Sequence, residues 1–203
     1  MATGHAKAGG GGRAPGPALG LLELSSIARG VVVADAALKR APAVLLSSRT
    51  LSGGRHLVVL EGDVASVQEA MAAGREAAGD KLLDRVELAM ADDAVWPMLE
   101  RGGLLASADW ADDDAAEAVV IVETATVSAA IAAADAAAKA ADIVIRDVRL
   151  AVDLAGKAVF TFTAALAAAQ ASAAAAGEAA GTRLVGLELI AQPAPELRGQ
   201  LFR

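Results

Sequence analysis

The chain has 203 residues, 55% of them hydrophobic but only 2% aromatic, with a formal net charge of −7 and no cysteine. That composition excludes disulfides, thiolate zinc sites, cysteine-ligated iron–sulfur clusters and a cysteine nucleophile, and His5 and His56 alone are too few for a histidine-rich metal site. The acidic balance without a basic cluster lacks an electrostatic footprint for nucleic acid, and an aromatic-poor core suits thin, close-packed layers better than a cofactor pocket.

Met1–Pro17 is rich in Gly, Ala and Pro and reads as a flexible tail, without the apolar core of a secretory signal. Ala18–Leu24 is a short apolar run that predicts a buried strand. Ser25 or Ser26 offers an N-cap to a helix carrying Ile27, Val31, Ala34 and Leu38 at helical spacing until Pro42 stops it. Ala43–Leu51 and His56–Glu61 are strand-like runs around Ser52-Gly53-Gly54, a hairpin signal. Asp63 caps a second helix with Val64, Val67, Met71 and Ala78 along one side, and Leu83–Met90 closes the half as a fourth strand. A connector, about Glu100–Glu117, carries Gly102-Gly103 and the acidic run Asp112–Asp114, flanked by Trp96 and Trp110 as anchors. The second half predicts a strand at Ala118–Glu123, a helix at Thr126–Ala141 and strands at Ile143–Val152 and Ala158–Thr163. A helix at Ala165–Ala180 and a strand at Leu184–Ala191 follow. The apolar look of Ala164–Ala180 comes from alanine, which gains little in lipid, so no membrane span is expected and a soluble cytoplasmic protein is read.

The two halves say the same thing 100 residues apart. Glu23 recurs as Glu123, Asp35 as Asp135, Lys39 as Lys139 and Arg49 as Arg149, with Ile27 answering Val127 and Val44 answering Val144. A period this long is a duplicated domain rather than a solenoid unit. Each half has the order β-α-β-β-α-β, so the fold class expected is α+β: two tandem ferredoxin-like units, antiparallel sheets with helices on one face. The boundaries read as tail 1–17, first domain 18–98, linker 99–116 and second domain 117–203. From Arg49 to Arg55 is six residues but from Arg149 to Lys157 is eight, so the second hairpin is two residues longer.

Gly20-Leu21-Leu22-Glu23, then Ala34-Asp35-Ala36-Ala37-Leu38-Lys39, a Gly-rich hairpin and Gly62-Asp63-Val64 resemble the bacterial microcompartment shell domain. Ile121-Val122-Glu123 and Ala134-Asp135-Ala136-Ala137-Ala138-Lys139 resemble it again, in the order of the tandem, non-permuted, trimer-forming type. The resemblance implies a homotrimeric, pseudohexameric tile in a cytoplasmic microcompartment shell, with a central pore for small metabolites and with hexameric and pentameric shell proteins as partners. It implies no catalysis and no cofactor. Family members that hold an iron–sulfur cluster at the pore do so through cysteine, which this chain lacks.

The resemblance also assigns sites. It places Leu51, Ser52, Gly53 and Gly54 in one pore loop and Asp153, Leu154, Ala155 and Gly156 in the other, although the glycines alone read as turn residues. It places Lys39 and Lys139 at the tile rim, where each also reads as the cation of an i,i+4 pair with Asp35 or Asp135. The family's rim arginine has no counterpart, since Gln192-Pro193 and Asp92-Asp93 stand there. No catalytic or metal site emerges: His56 has no nucleophile arranged around it, and Asp112–Asp114 lacks calcium-loop spacing. Glu23 and Glu123 sit where a strand gives way to a helix and read as caps or subunit contacts rather than acid–base pairs. The main alternative is a tandem ferredoxin-like regulatory module that binds a small effector between lobes.

Overall fold

A computed structural model describes residues 16–106 and 116–198. Strand β1 (Ala18–Leu24), apolar except for Glu23, is buried along its whole length. Helix α1 (Ile27–Arg40) starts at Ser26, whose hydroxyl accepts the Arg29 N–H. A hairpin of β2 (Val44–Leu51) and β3 (Arg55–Gly62) follows, and α2 (Val64–Ala78) is capped by Asp63, which accepts from both the N–H and the hydroxyl of Ser66. Strand β4 (Leu82–Leu88) completes an antiparallel sheet in the order β2-β3-β1-β4.

The connector has structure of its own. A short helix, α3 (Trp96–Leu99), buries Met98 and lays the half-buried Trp96 on the core, and β5 (Leu104–Ala106) follows. The second lobe runs β6 (Ala118–Thr124), α4 (Val127–Ala140), β7 (Val144–Leu150), β8 (Ala158–Ala164), α5 (Leu166–Ala180), β9 (Leu184–Ala191) and a short α6 (Pro195–Arg198). Its sheet order, β5-β7-β8-β6-β9, repeats the first and adds β5 against β7, with Leu104 opposite Arg149. The added strand pairs backbone groups of β7 that would otherwise form an open edge. Even a local irregularity is duplicated: the register slips between Leu45 and Ser47 and again between Ile145 and Asp147. Trp110, Asp112–Asp114 and His5 lie outside the described residues.

Two strand ends differ from the sequence reading by two residues, and other predicted element ends shift by no more than one. β4 ends at Leu88 rather than Met90, and β7 ends at Leu150 rather than Val152 because Ala151 turns to φ 58° and leaves the extended region.

The first sheet is covered on both faces. Leu22, Leu24, Val58 and Leu60 point toward α1 and α2 and pack with Val33 and Met71. On the opposite face Leu19, Leu21, Leu57 and Val59 join one core with Val127, Ala130, Ile131 and Ala134 of α4. Helix α4 thus lies between the two sheets, and its own sheet supplies Phe160 and Phe162, whose rings stack with centroids 6.3 Å apart. Fully buried side chains such as Val127 and Ile131 each contribute about 1.5–3 kcal/mol by leaving water. The lobe joint is therefore an extension of the hydrophobic core.

Candidate functional site

The two hairpins that the sequence assigns to a pore lie against each other. The Ser52 hydroxyl donates to the Ala151 carbonyl at 2.7 Å and accepts the Gly156 N–H at 3.0 Å, while the Ser52 N–H also donates to Ala151 at 3.2 Å. Gly53 and Gly54 have φ of 79° and 74°, and a Cβ on Gly53 would stand 3.2 Å from the Ala155 carbonyl oxygen. Glycine at that place serves both the turn and the close approach. In the longer loop Ala151, Asp153 and Ala155 take positive φ of 58°, 57° and 51°, a conformation unfavourable for residues with a Cβ.

All eight predicted loop residues come together, but not all face outward. Gly53, Gly54, Asp153 and Ala155 are exposed, and Ser52 and Leu154 are partly so. Leu51 is buried in the shared core, and Gly156 is buried under the Arg55 guanidinium. Leu51 and Gly156 support the loops from within and present no side chain to a channel.

Beside the hairpins sits a polar joint between the lobes. Glu23 is fully buried; one carboxylate oxygen accepts the Val127 N–H, the first of α4, at 2.8 Å, and the other accepts from Arg55 Nη1 at 3.0 Å. The same Arg55 nitrogen reaches the carbonyls of Ala125 and Gly156, each at 3.0 Å. Burial raises the Glu23 pKa, against the lowering effect of its bonds to Arg55 and Val127. Glu23 therefore caps the helix of the other lobe rather than its own. Nearby, the Thr126 hydroxyl donates to Asp84, Arg183 donates to the Leu83 carbonyl at 2.7 Å, and Arg49 donates to the Leu150 carbonyl at 3.1 Å. The repeat of Glu23 as Glu123 was visible in the sequence; the role of Arg55 was not, because its partners lie 32 to 101 positions away.

The two lysines make the expected i,i+4 pairs, Lys39 to Asp35 at 2.6 Å and Lys139 to Asp135 at 2.7 Å, yet their settings differ. Lys39 is 74% exposed on the side-chain scale. Lys139 also donates to the Met90 carbonyl at 2.5 Å, and the buried Asp135 accepts the Asp92 N–H at 2.9 Å, so this pair stitches α4 to the end of the first lobe. His56 is buried under Gly30, with Nε2 2.8 Å from the Ser48 hydroxyl and Nδ1 without a partner among the described residues; burial lowers its pKa by disfavouring the charged ring. It is a packing residue. Among the described residues, no group of three or more His, Cys, Asp or Glu could hold a metal ion. No helix among the described residues is long and apolar enough to cross a membrane.

One contrast between the copies bears on assembly. Val127 and Ile131 of α4 are 0% exposed, whereas their counterparts on α1, Ile27 and Val31, are 43% and 58% exposed, with Val32 beside them. On the far face of the second sheet Val119, Ile121 and Ile190 form a small apolar cluster with Ala116.

Comparison with known proteins gives a consistent result. The profile of the BMC domain matches twice, at residues 18–91 and 118–193. The chain is 37% identical over 186 residues to the bacterial microcompartment shell protein PduT of Citrobacter freundii, covering 91% of this chain and 97% of that one. It is 41% identical over 78 residues to the shell protein EutK of Escherichia coli K12, covering 47% of that protein. A crystal structure of a microcompartment protein from Desulfitobacterium hafniense DCB superposes with a TM-score of 0.71 at 32% identity, over 89% of this chain and 97% of that one.

Proposed function

This chain belongs to the BMC-domain family, and from that premise we propose that it is a structural component of a bacterial microcompartment shell in the bacterial cytoplasm. In this reading three copies close into a pseudohexagonal tile of about 61 kDa, three times the 20.2 kDa chain. The tile works without catalysis, beside hexameric and pentameric shell proteins. The observation that carries the trimer is the contrast between the buried face of α4 and the exposed, equally apolar face of α1. Within the chain, α4 already docks on the far face of the first sheet. The same head-to-tail contact, repeated between α1 of one copy and the second sheet of the next, generates a ring. An exposed apolar helix face with a matching sheet elsewhere on the molecule marks such an interface.

The paired hairpins would then meet around the three-fold axis, three copies of Ser52–Gly54 alternating with three of Asp153–Gly156. Exposed Gly53, Gly54, Asp153 and Ala155 would set the opening for small polar metabolites. Lys39, the more exposed lysine, suits the tile rim, with Lys139 shared between rim and lobe joint. Native mass measurement should give the trimer, and electron microscopy of mixtures with hexameric and pentameric shell proteins should show sheets or closed shells. A protein that stays monomeric or dimeric at micromolar concentration and changes state on binding a small effector would instead be the regulatory module.

A further inference from the structure

The joint inside the chain has a second set of parts that stand open. Glu123 occupies the place of Glu23, and Lys157, in the place of Arg55, donates to one of its carboxylate oxygens at 2.7 Å. Yet the Glu123 side chain is 41% exposed where that of Glu23 is 0%. Ile27, the first residue of α1, stands where Val127 stands on α4, and its N–H has no hydrogen bond among the described residues. The register confirms the correspondence, since Glu23 pairs across its sheet with Asp84 and Glu123 with Gly186, and the bond from Ser25 N–H to the Lys81 carbonyl repeats as Ala125 to Arg183.

We propose that Glu123 and Lys157 of one copy form a lock on the first turn of α1 in the next copy, with the free oxygen of Glu123 accepting the Ile27 N–H and Lys157 bridging to the Ser25 carbonyl. This rests on the ring reading above and names the polar bond that orients it. A carboxylate at a helix N-terminus is favoured by both the unpaired N–H and the helix dipole. Burial of Ile27 and Val31 around it removes competing water and strengthens the bond. The copy of the joint is incomplete: Gly186 replaces Asp84, so Ser26 has no carboxylate to match the Thr126–Asp84 bond. The contact between copies therefore leans on Glu123 more heavily than the lobe joint leans on Glu23.

The test is subunit exchange between unlabelled and isotope-labelled trimers, followed by native mass spectrometry on the full chain. Glu123→Ala should exchange at least about ten-fold faster than the parent, the effect expected for losing a hydrogen bond to a charged group. Ile27→Pro removes the N–H at a helix position that tolerates proline and should act in the same direction. Because the two changes break one bond, the double variant should exchange no faster than the faster single variant. Glu123→Gln, which keeps the shape and an acceptor oxygen, should fall between Glu123→Ala and the parent, and it serves if Glu123→Ala misfolds by circular dichroism. A Glu123→Ala or Glu123→Gln trimer that exchanges at the parent rate, or single effects that multiply in full, would overturn the lock and leave the trimer standing. A parent chain that forms no trimer would overturn the ring and the lock together.

Discussion

Arg55→Ala is the sharpest perturbation of the lobe joint. One nitrogen of Arg55 serves three acceptors at 3.0 Å, and the first of these is a carboxylate with no exposed surface. Truncation leaves Glu23 with its bond to the Val127 N–H but without the only ion-pair partner among the described residues. Stranding one member of a buried pair costs about 3–5 kcal/mol. The Arg55 side chain is itself 26% exposed, so water can reach the vacated place, and the lower end, about 3 kcal/mol, applies here. Urea unfolding at one fixed protein concentration measures it, since assembly shifts apparent stability by mass action. Two further results follow from the same cause. The deficit should shrink toward acidic pH, because the raised pKa of Glu23 lets the folded state take up a proton before the unfolded one does and the stranded charge then disappears. Adding Glu23→Gln should restore at least half of the loss, because a neutral amide oxygen still accepts the Val127 N–H. A loss below about 1 kcal/mol, or no recovery with Glu23→Gln, would refute the account of the joint.

Ala155→Gly should raise the thermal midpoint, since relief of the left-handed backbone at φ 51° exceeds the added unfolded-state entropy by roughly 0.5–1 kcal/mol; a lowered midpoint contradicts this. Asp147 lies buried on the far face of the second sheet, and burial pushes its pKa from 3.8 up to about 6. The folded state then holds a proton that the unfolded state gives up, so stability falls as pH rises from about 4 through 6 and stays low above that. Asp147→Asn should remove this dependence, matching the parent near pH 4 and exceeding it at pH 7.5 by up to about 3 kcal/mol; parallel urea curves for both proteins across that range would disprove it. Lys39→Ala should leave the trimer intact and weaken lateral assembly seen by electron microscopy, whereas Lys139→Ala should also lower chain stability through the lost Met90 bond. Unchanged tiling by Lys39→Ala removes the rim assignment.

What could be read in advance was local or repeated. Ser26 and Asp63 announce helix starts because a short polar side chain before a periodic apolar run has one good use, accepting the orphan N–H groups of the first turn. The apolar run of β1, interrupted only by Glu23, announces burial on both faces, although nothing in it says that the second cover is α4. Lys39 and Lys139 look alike in sequence and differ in the fold, because only one of them meets the end of the other lobe. The three left-handed residues Ala151, Asp153 and Ala155 carry no glycine signal, so the path of the longer loop was hidden. Strand β5 is three residues long and earns its place by an edge that only the folded sheet presents.

In the proposed ring, duplication makes one contact serve twice under different conditions. Inside the chain the α4 joint is held at high effective concentration by the connector, and polar groups have gathered there: Glu23 with Arg55, Asp84 with Thr126, Asp135 with the Asp92 N–H. On the two surfaces that the proposed ring would bring together, Glu123 and Lys157 persist on the second lobe with Gly186 in the place of the second carboxylate, and Ile27 and Val31 on the first lobe keep their apolar character though water reaches them in the single chain. An α1 free of any partner would lose little by exchanging Ile27, Val31 and Val32 for polar residues, as most exposed helix positions accept either. Three apolar β-branched side chains exposed on α1 of the first lobe, and on the second lobe an exposed carboxylate whose twin is completely buried, are the two complementary halves of the contact that the proposed ring requires.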